Sequence, residues 1–460
     1  MILIENLTPY ADIVFGNIDR TDRSFETVVA RGVFAIRPQA DASGGMTHTL
    51  VELDQQDPVL VVDTYFGAIA ESEVRSESDL SPYKPRCDVI VHATAHSPTG
   101  RPVPAVEVGV TIERAVGRFP SVVPVAEGLL LDRRLVVWGD RDFVRLGAVD
   151  RTAASVVRRM TLGALKPSEW QLTDPVPFTA FPIRYDHAFG GSVTVRASEH
   201  EVVSRLPEDR RAEPQIGEDA GDRDPAITQE AFAANPLGRG FITPWYAHAA
   251  KATRWSAPRI EAPRSPITVD AFERLLEGAC PAEPALMPHG LGIVAKHWAP
   301  RLRLAGTCDE RWQAERCPRL PEDFDEAFWN GSPPDMQCDF LFGEETVSLT
   351  NMLPRAEASR SRGDAVVARF SLPRVGLVLR LERPEGGVFY DALRIDTLHI
   401  DLDAMRVALT WRLRLPDTGS ASVRGTLMAL APILDEQPDL MPGVIASAAY
   451  HQALSDREKE

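Results

Sequence analysis

Apolar and polar positions alternate with a period of two near both ends of the chain. Val106, Val108, Val110 and Ile112 alternate with polar or small residues, a pattern that is typical of a half-buried strand. Further strands are predicted over 25–36, 58–66, 88–96, 129–137, 375–381, 398–402 and 407–415. Closely spaced strands with polar turns between them favour an antiparallel sandwich or barrel.

The middle of the chain is rich in proline and glycine, and its regular periods are short. Thr268 precedes a helix-forming run and is predicted to cap that helix, which Gly278 ends. A second short helix is predicted near Pro321, with Phe324 and Phe328 on one face. The middle therefore reads as irregular backbone with short helices.

These patterns predict a mainly β protein with two antiparallel sandwich- or barrel-like lobes bridged by an irregular segment. The N-terminal β-rich lobe is expected over 1–185 and the loop-rich middle over 186–354. The C-terminal β-rich segment is expected over 355–460, with a terminal helix over 442–460. The stretch 199–224 is highly charged and poor in large apolar residues, so it is predicted to be a mobile loop.

Two successive strands near the C-terminus carry opposite charges on the faces that lie opposite their apolar residues. We expect a solvated surface there, with cross-strand charge pairs that contribute roughly 0.2–1 kcal/mol each. The residues are Arg406, Arg412 and Arg414 on one strand and His399, Asp401 and Asp403 on the strand before it.

The net charge of −16 narrows the choice of partners. Nucleic acids and anionic lipids require a basic surface, so neither nucleic acid nor membrane is expected as a partner. A basic protein domain would be attracted instead. No apolar run approaches ~20 residues and no signal peptide is evident, so we expect a cytoplasmic protein.

The sequence lacks the usual motifs of catalysis, and no catalytic residue, metal or cofactor is predicted. There is no phosphate-binding loop, nucleophile elbow or zinc-protease helix motif. His92 and His96 lie on a predicted strand, where four residues span ~13 Å, so they are not expected to share a metal. Cys308, Cys317 and Cys338 lack a close Cys-x-x-Cys pair and are predicted to be buried structural thiols.

Three strings stand out in the irregular backbone. They read Y-D-H-A-F-G-G at 185–191, N-P-L-G-R-G at 235–240, and a stretch at 306–335 that is rich in aromatic, proline and charged residues. Glycine pairs permit positive φ or close backbone approach, so the first two strings are predicted to be tight turns. The predicted turn residues are Phe189, Gly190, Gly191, Asn235, Pro236 and Gly238.

Together the three strings resemble those of a family of bacterial proteins encoded beside type VI secretion effectors. The resemblance covers roughly residues 10–375 and implies an effector adaptor or chaperone. Such an adaptor would bind a toxin effector, and a spike-tip protein as a further partner, and would load the effector by recognition alone. Cys308, Met336 and the pair Asp186-His187 depart from the family strings, where Tyr, Gln and Glu-Arg are usual.

Exposed aromatic side chains are the expected partner-binding residues, because such anchors dominate interface energies. We expect the two turns and the aromatic residues of the third string to build one surface. The first choices are Trp312, Phe324, Phe328 and Trp329, and the second choices are Trp245, Tyr246 and Trp255.

Two other functions stay open on the sequence alone. One is a carboxylate- or metal-dependent hydrolase with its site in a β-sandwich cleft. Its residues would be Asp309, Asp323, Asp325 and Asp335 converging with His297. The other is a structural component of the secretion particle, which would assemble symmetrically.

Overall fold

The computed structural model confirms a mainly β protein with a few short helices and a curled half-barrel sheet. The charged stretch 199–224, predicted to be a loop, starts with a short helix, and its residues 212–223 lie outside the described part of the chain. The predicted terminal helix also lies outside it. The structure describes residues 2–40, 46–114, 128–147, 168–211, 224–278, 284–343, 345–358, 360–362, 365–382, 387–416 and 423–429.

The strands and helices are numbered in chain order. The strands are β1 Leu3–Asn6, β2 Ala11–Ile18, β3 Ser24–Ala40, β4 Met46–Glu52, β5 Thr64–Tyr65, β6 Val74–Ser76, β7 Cys87–His92, β8 Thr94–His96, β9 Ala105–Arg114, β10 Gly128–Trp138, β11 Asp142–Arg145, β12 Trp170–Leu172, β13 Ala180–Pro182, β14 Phe189–Gly190, β15 Ser192–Arg196, β16 Ala226–Ala231, β17 Arg239–Gly240, β18 Arg254–Ser256, β19 Ile260–Glu261, β20 Gln337–Cys338, β21 Thr346–Thr350, β22 Arg360–Arg362, β23 Ala365–Ser371, β24 Leu377–Glu382, β25 Val388–Asp401, β26 Arg406–Pro416 and β27 Arg424–Ala429. The α-helices are α1 His200–Val203, α2 Pro244–Ala249, α3 Val269–Leu276, α4 Ala299–Leu302 and α5 Glu310–Glu315. Single 3-10 turns lie at Tyr185–His187, Glu208–Arg210, Pro284–Leu286, Glu326–Trp329, Pro334–Met336 and Arg355–Glu357.

The largest sheet joins strands from the two ends of the chain. Its main order is β1-β27-β24-β25-β26-β3-β2, with β4 on β3 and β7 on β25. The contact of β7 with β25 is parallel and aligns residues 88–92 with 397–401. The strand β20, which follows the third string, pairs with β7. Strands within residues 3–92 and strands within residues 377–429 therefore belong to one sheet.

A second sheet faces the first across a shared hydrophobic core. Its order is β19-β10-β9-β21-β23-β22, so it also mixes early and late strands. Val28, Val89 and Leu409 of the first sheet are fully buried in the same cluster as Leu135 and Val347 of the second. Period-two alternation places these side chains on inner faces, which is why the two sheets pack face to face.

A smaller core supports the region that holds the first two strings. The ring of Phe143 on β11 stacks on Phe272 of α3, with centroids 4.0 Å apart, and Trp170 meets Phe272 edge-on. The helix begins as predicted, because Thr268 Oγ1 accepts a hydrogen bond from Ala271 N. This core fixes the three-stranded sheet β12-β11-β18.

The prediction of a solvated face on β26 is wrong for Arg412. Its side chain is buried, and its guanidinium pairs with Asp396 and donates to Asp79 O. The segment around residues 79–84 covers this face, where Asp79 also pairs with Arg31. The predicted charge pairing between β25 and β26 is replaced at Asp401, which pairs with Arg75 instead.

Candidate functional site

The first two strings interlock around one buried side chain. Asn235 is fully buried, and its Nδ2 donates to Tyr185 O at 2.9 Å and to Phe189 O at 3.0 Å. In return, Gly191 N donates to Asn235 O at 2.8 Å. The strands β14 and β17 then pair in parallel, so the two distant strings form one unit.

Glycine is required at these positions because the two turns touch through their backbones. A Cβ at Gly190 would stand 2.1 Å from Asn235 O, and one at Gly238 would stand 2.5 Å from Ala188 O. Gly190 also has a φ of 145°, a conformation that other residues rarely adopt. The glycines predicted as turn residues therefore serve close packing between the two strings.

The third string is anchored to the central sheet through a buried carboxylate that the sequence reasoning did not single out. Asp88 on β7 is fully buried and pairs with Lys84 at 2.8 Å. It also accepts hydrogen bonds from Asn330 Nδ2, Gly331 N and Ser332 N at 2.8–3.1 Å. The signal in the sequence is an acidic residue inside the otherwise apolar run 87–91.

The helix α4 links the third string to the other two. Trp298, which precedes α4, packs edge-on against Tyr185 of the first string, with ring centroids 5.4 Å apart. Arg301 within α4 donates from Nε and Nη2 to Phe328 O of the third string. Ala299 N donates to Ala233 O beside the second string.

These links run through the interior, so the expectation of one common surface is wrong where the residues are buried. Phe189 is 1% exposed, Asn235 is 0% exposed and Phe324 is 2% exposed. Gly190 and Gly191 are buried as well. What the three strings share is a contiguous network of packed and hydrogen-bonded groups.

One cleft of about 480 Å³ opens where the first two strings meet the small sheet. Its walls are residues 190–192, 238–241 and 254–256, together with Asp142. The volume lies within the range of ordinary ligand pockets. At Gly240 in this wall, a Cβ would stand 3.0 Å from the Pro258 side chain.

The strand β18 presents a sheet edge to this cleft. It is the terminal strand of its sheet and pairs with β11 on its other side. Arg145 N donates to Thr253 O and Ala257 N donates to Arg141 O. Since bonded positions alternate along antiparallel strands, residue 255 is bonded to β11, and the backbone N–H and C=O groups of residues 254 and 256 point away from it.

The lining of the cleft is less acidic than the molecule as a whole. Arg239, Arg254 and Asp142 give its lining a net charge of +1, whereas the whole chain carries −16. Arg254 Nε lies 2.6 Å from Asp142 Oδ2, yet the Arg254 side chain stays 70% exposed. The pKa of nearby His187 falls to about 4, first because it is buried and then because arginines, Arg239 foremost, surround it.

A family model of uncharacterized proteins conserved in bacteria, DUF2169, matches residues 21–412. The chain belongs to this family. No curated protein and no solved structure matches the chain. The matched span contains all three strings and every residue that lines the cleft.

Of the three second-choice aromatic residues, one lines the cleft and the other two continue from it. Trp255 belongs to its wall and packs edge-on against Tyr246, which in turn meets Trp245. All three side chains are partly exposed. The three side chains therefore form a row that extends from the cleft to the surface along α2.

Three of the four first-choice aromatic residues form a separate cluster away from the lining of the cleft. Phe324, Phe328 and Trp329 contact one another with ring centroids 5.4–5.6 Å apart. Phe328, Trp329 and Trp312 are partly exposed, whereas Phe324 is buried and cannot act as an exposed anchor. Trp312 Nε1 donates to Arg319 O at 2.9 Å.

The carboxylates of the hydrolase alternative each have a local partner. Asp309 caps α5 through Trp312 N, Asp325 bonds Ala327 N, and Asp335 pairs with Arg133. Asp323 accepts from the N–H and the hydroxyl of Thr307, and these bonds lower its pKa. Within the described ranges, no group of three or more His, Cys, Asp or Glu side chains is arranged to hold a metal ion.

Two thiol predictions are wrong. Cys308 and Cys317 are exposed, because α5 and its flanks lie on the surface. Cys338 is buried as predicted and stands directly opposite Cys87 in the pair β20–β7.

Among the described residues, no helix is long and apolar enough to cross a membrane.

Proposed function

We propose that the protein is a cytoplasmic adaptor that binds a toxin effector of a type VI secretion system and helps load it on the secretion spike. The resemblance of the three strings supplies the secretion system and the class of partner. The observation that carries the proposal is the cleft, which lies where two of the three strings meet beside a sheet edge.

The geometry of the cleft supports recognition of a protein. Extended peptides commonly bind to exposed sheet edges through their main chain, and aromatic and arginine side chains are enriched in protein interfaces. The strand β18 offers such an edge, with Arg254 and Trp255 on it. The cleft thus offers a polypeptide partner both main-chain and side-chain contacts.

Capture from the native cell tests this function. The tagged protein, expressed at its native level, should recover a toxin-domain protein or a spike component in near-stoichiometric amount, as identified by mass spectrometry. Recovery of the tagged protein alone, from cells shown to express the secretion genes, would contradict the proposal. A second capture in high salt separates specific partners from proteins held by the acidic surface alone.

A further inference from the structure

The sheet edge at the cleft has the features of a site for one more strand. We propose that the cleft binds an extended, acidic segment of the effector, which adds to β18 as a new edge strand. The inference rests on the proposed adaptor function for the identity of the partner. Its recognition chemistry follows from the backbone and the charges of the cleft.

The backbone supplies the affinity of this site. The N–H and C=O groups of Arg254 and Ser256 face away from β11, and both residues line the cleft. An antiparallel segment that bonds both residues gains up to four main-chain hydrogen bonds. Both residues are exposed and line the cleft, so this end of the edge strand borders solvent.

The charges supply the preference for acidic side chains. Arg254 and Arg239 flank the cleft, and each already binds a carboxylate of this chain, Asp142 and Asp140 respectively. Carboxylates of a partner segment would join or replace these. The net charge of −16 repels an acidic segment from the molecule as a whole, so the two arginines make the cleft its most favourable place.

Proline on the edge strand separates main-chain recognition from side-chain recognition. Ser256→Pro removes an outward N–H and leaves the bonds to β11 intact, because proline is tolerated on an edge strand whose N–H faces out. Ser256→Ala is the matched control that keeps the N–H. Thermal unfolding of both variants verifies that the fold is retained.

The probes are two ten-residue peptides, one alternating Val with Glu and the other alternating Val with Lys, followed by fluorescence anisotropy. The Glu peptide should bind the wild type and Ser256→Ala with equal affinity. Ser256→Pro should bind it at least about tenfold more weakly, which corresponds to ~1.4 kcal/mol. The inference is overturned if Ser256→Pro binds the Glu peptide as tightly as the wild type does. It is also overturned if the wild type binds the Lys peptide as tightly as the Glu peptide, or does not bind the Glu peptide.

Three further readouts, hydrogen exchange, effector capture and oligomeric state, keep the outcomes distinct. If Ser256→Pro does not fold, hydrogen exchange of the wild type decides: the Glu peptide should slow exchange at residues 254 and 256, and unchanged exchange overturns strand addition. Capture of the effector by Ser256→Pro as well as by the wild type leaves the adaptor function standing and overturns strand addition. Binding of the Glu peptide without capture of an effector supports strand addition and overturns the adaptor function. A dimer that Ser256→Pro abolishes would make a second copy the occupant and overturn the effector segment.

Discussion

Position 190 requires glycine for two steric reasons, its backbone conformation and its close neighbours. Its φ of 145° suits glycine, and a Cβ would stand 2.1 Å from Asn235 O. Two other glycines separate these effects. Gly100 has a φ of 72° with open space around it, and Gly16 has open space and no unusual φ.

We therefore predict graded losses of stability from three Gly→Ala substitutions, measured by urea unfolding. Gly190→Ala should destabilise by at least about 2 kcal/mol, because strain and overlap add. Gly100→Ala should cost about 1 kcal/mol from φ alone, and Gly16→Ala should stay within about 0.5 kcal/mol. A Gly190→Ala variant as stable as Gly16→Ala would show that the two strings do not pack as described.

Glu73 makes the stability of the protein depend on pH. Its side chain is buried and accepts a hydrogen bond from Tyr185 N at 2.7 Å. Burial raises the pKa of this carboxyl from 4.5 to about 8, and the N–H of Tyr185 offsets part of the rise. The folded state thus holds a proton between pH 4.5 and 8 that the unfolded state releases.

The contribution of Glu73 to stability should therefore fall as the pH rises from about 4.5 to about 8. The slope reaches about 1.4 kcal/mol per pH unit, since the folded state binds one more proton than the unfolded state. Glu73→Gln removes this titration, so its stability relative to the wild type should increase from pH 5 to pH 8 in urea unfolding. Glu107→Gln, at an exposed position, is the control. A constant difference between Glu73→Gln and the wild type across this range would contradict the account.

At the scale of elements, the contact between β7 and the third string depends on Asp88. Four groups donate to this buried carboxylate, one of them the ammonium of Lys84. Removal of one member of a buried ion pair leaves the other charge unpaired, which costs more than the pair itself contributes.

Asp88→Asn should accordingly destabilise the protein by about 3–5 kcal/mol in denaturant unfolding. It should also speed proteolysis near residues 330–332, which would lose their acceptor. Asp339→Asn is the control, because the Asp339 side chain is 73% exposed. A loss below about 1 kcal/mol for Asp88→Asn would mean that the third string is held mainly by its apolar contacts.

The sequence predicted individual elements better than their partners. Period-two alternation located β9, β10 and β26, and the cap at Thr268 located the start of α3. Alternation cannot tell which face another segment covers, so Arg412 was predicted to be solvated. The pairing of β26 with β3 joins residues nearly 400 positions apart, and no local pattern specifies such a contact.

The candidate site was predicted only in part for the same reason. The glycine strings were found because glycine in irregular backbone indicates close approach. The edge of β18 was missed, since a three-residue strand gives too short a period to detect. Trp255 was named for its aromatic ring, and its place at the cleft became visible only once β11 and β18 were paired.

At the scale of the whole molecule, two facing sheets share one hydrophobic core, and the cleft lies beside a smaller core. Asn235 joins the first two strings, Trp298 packs against Tyr185 of the first string, and Asp88 ties the third string to β7. We expect walls held by such contacts to keep their shape, which lowers the entropic cost of binding a partner.

The most direct test of the central claim compares two charge reversals in effector capture. Arg254→Glu lies in the cleft and Arg311→Glu lies outside its lining; both arginines are exposed, at 70% and 77%, and each pairs with a neighbouring carboxylate. Capture by Arg254→Glu should fall at least about tenfold, because the reversal repels an acidic segment, while capture by Arg311→Glu should match the wild type. Equal capture by Arg254→Glu and the wild type, or a loss confined to Arg311→Glu, would place the partner away from the cleft and contradict the account.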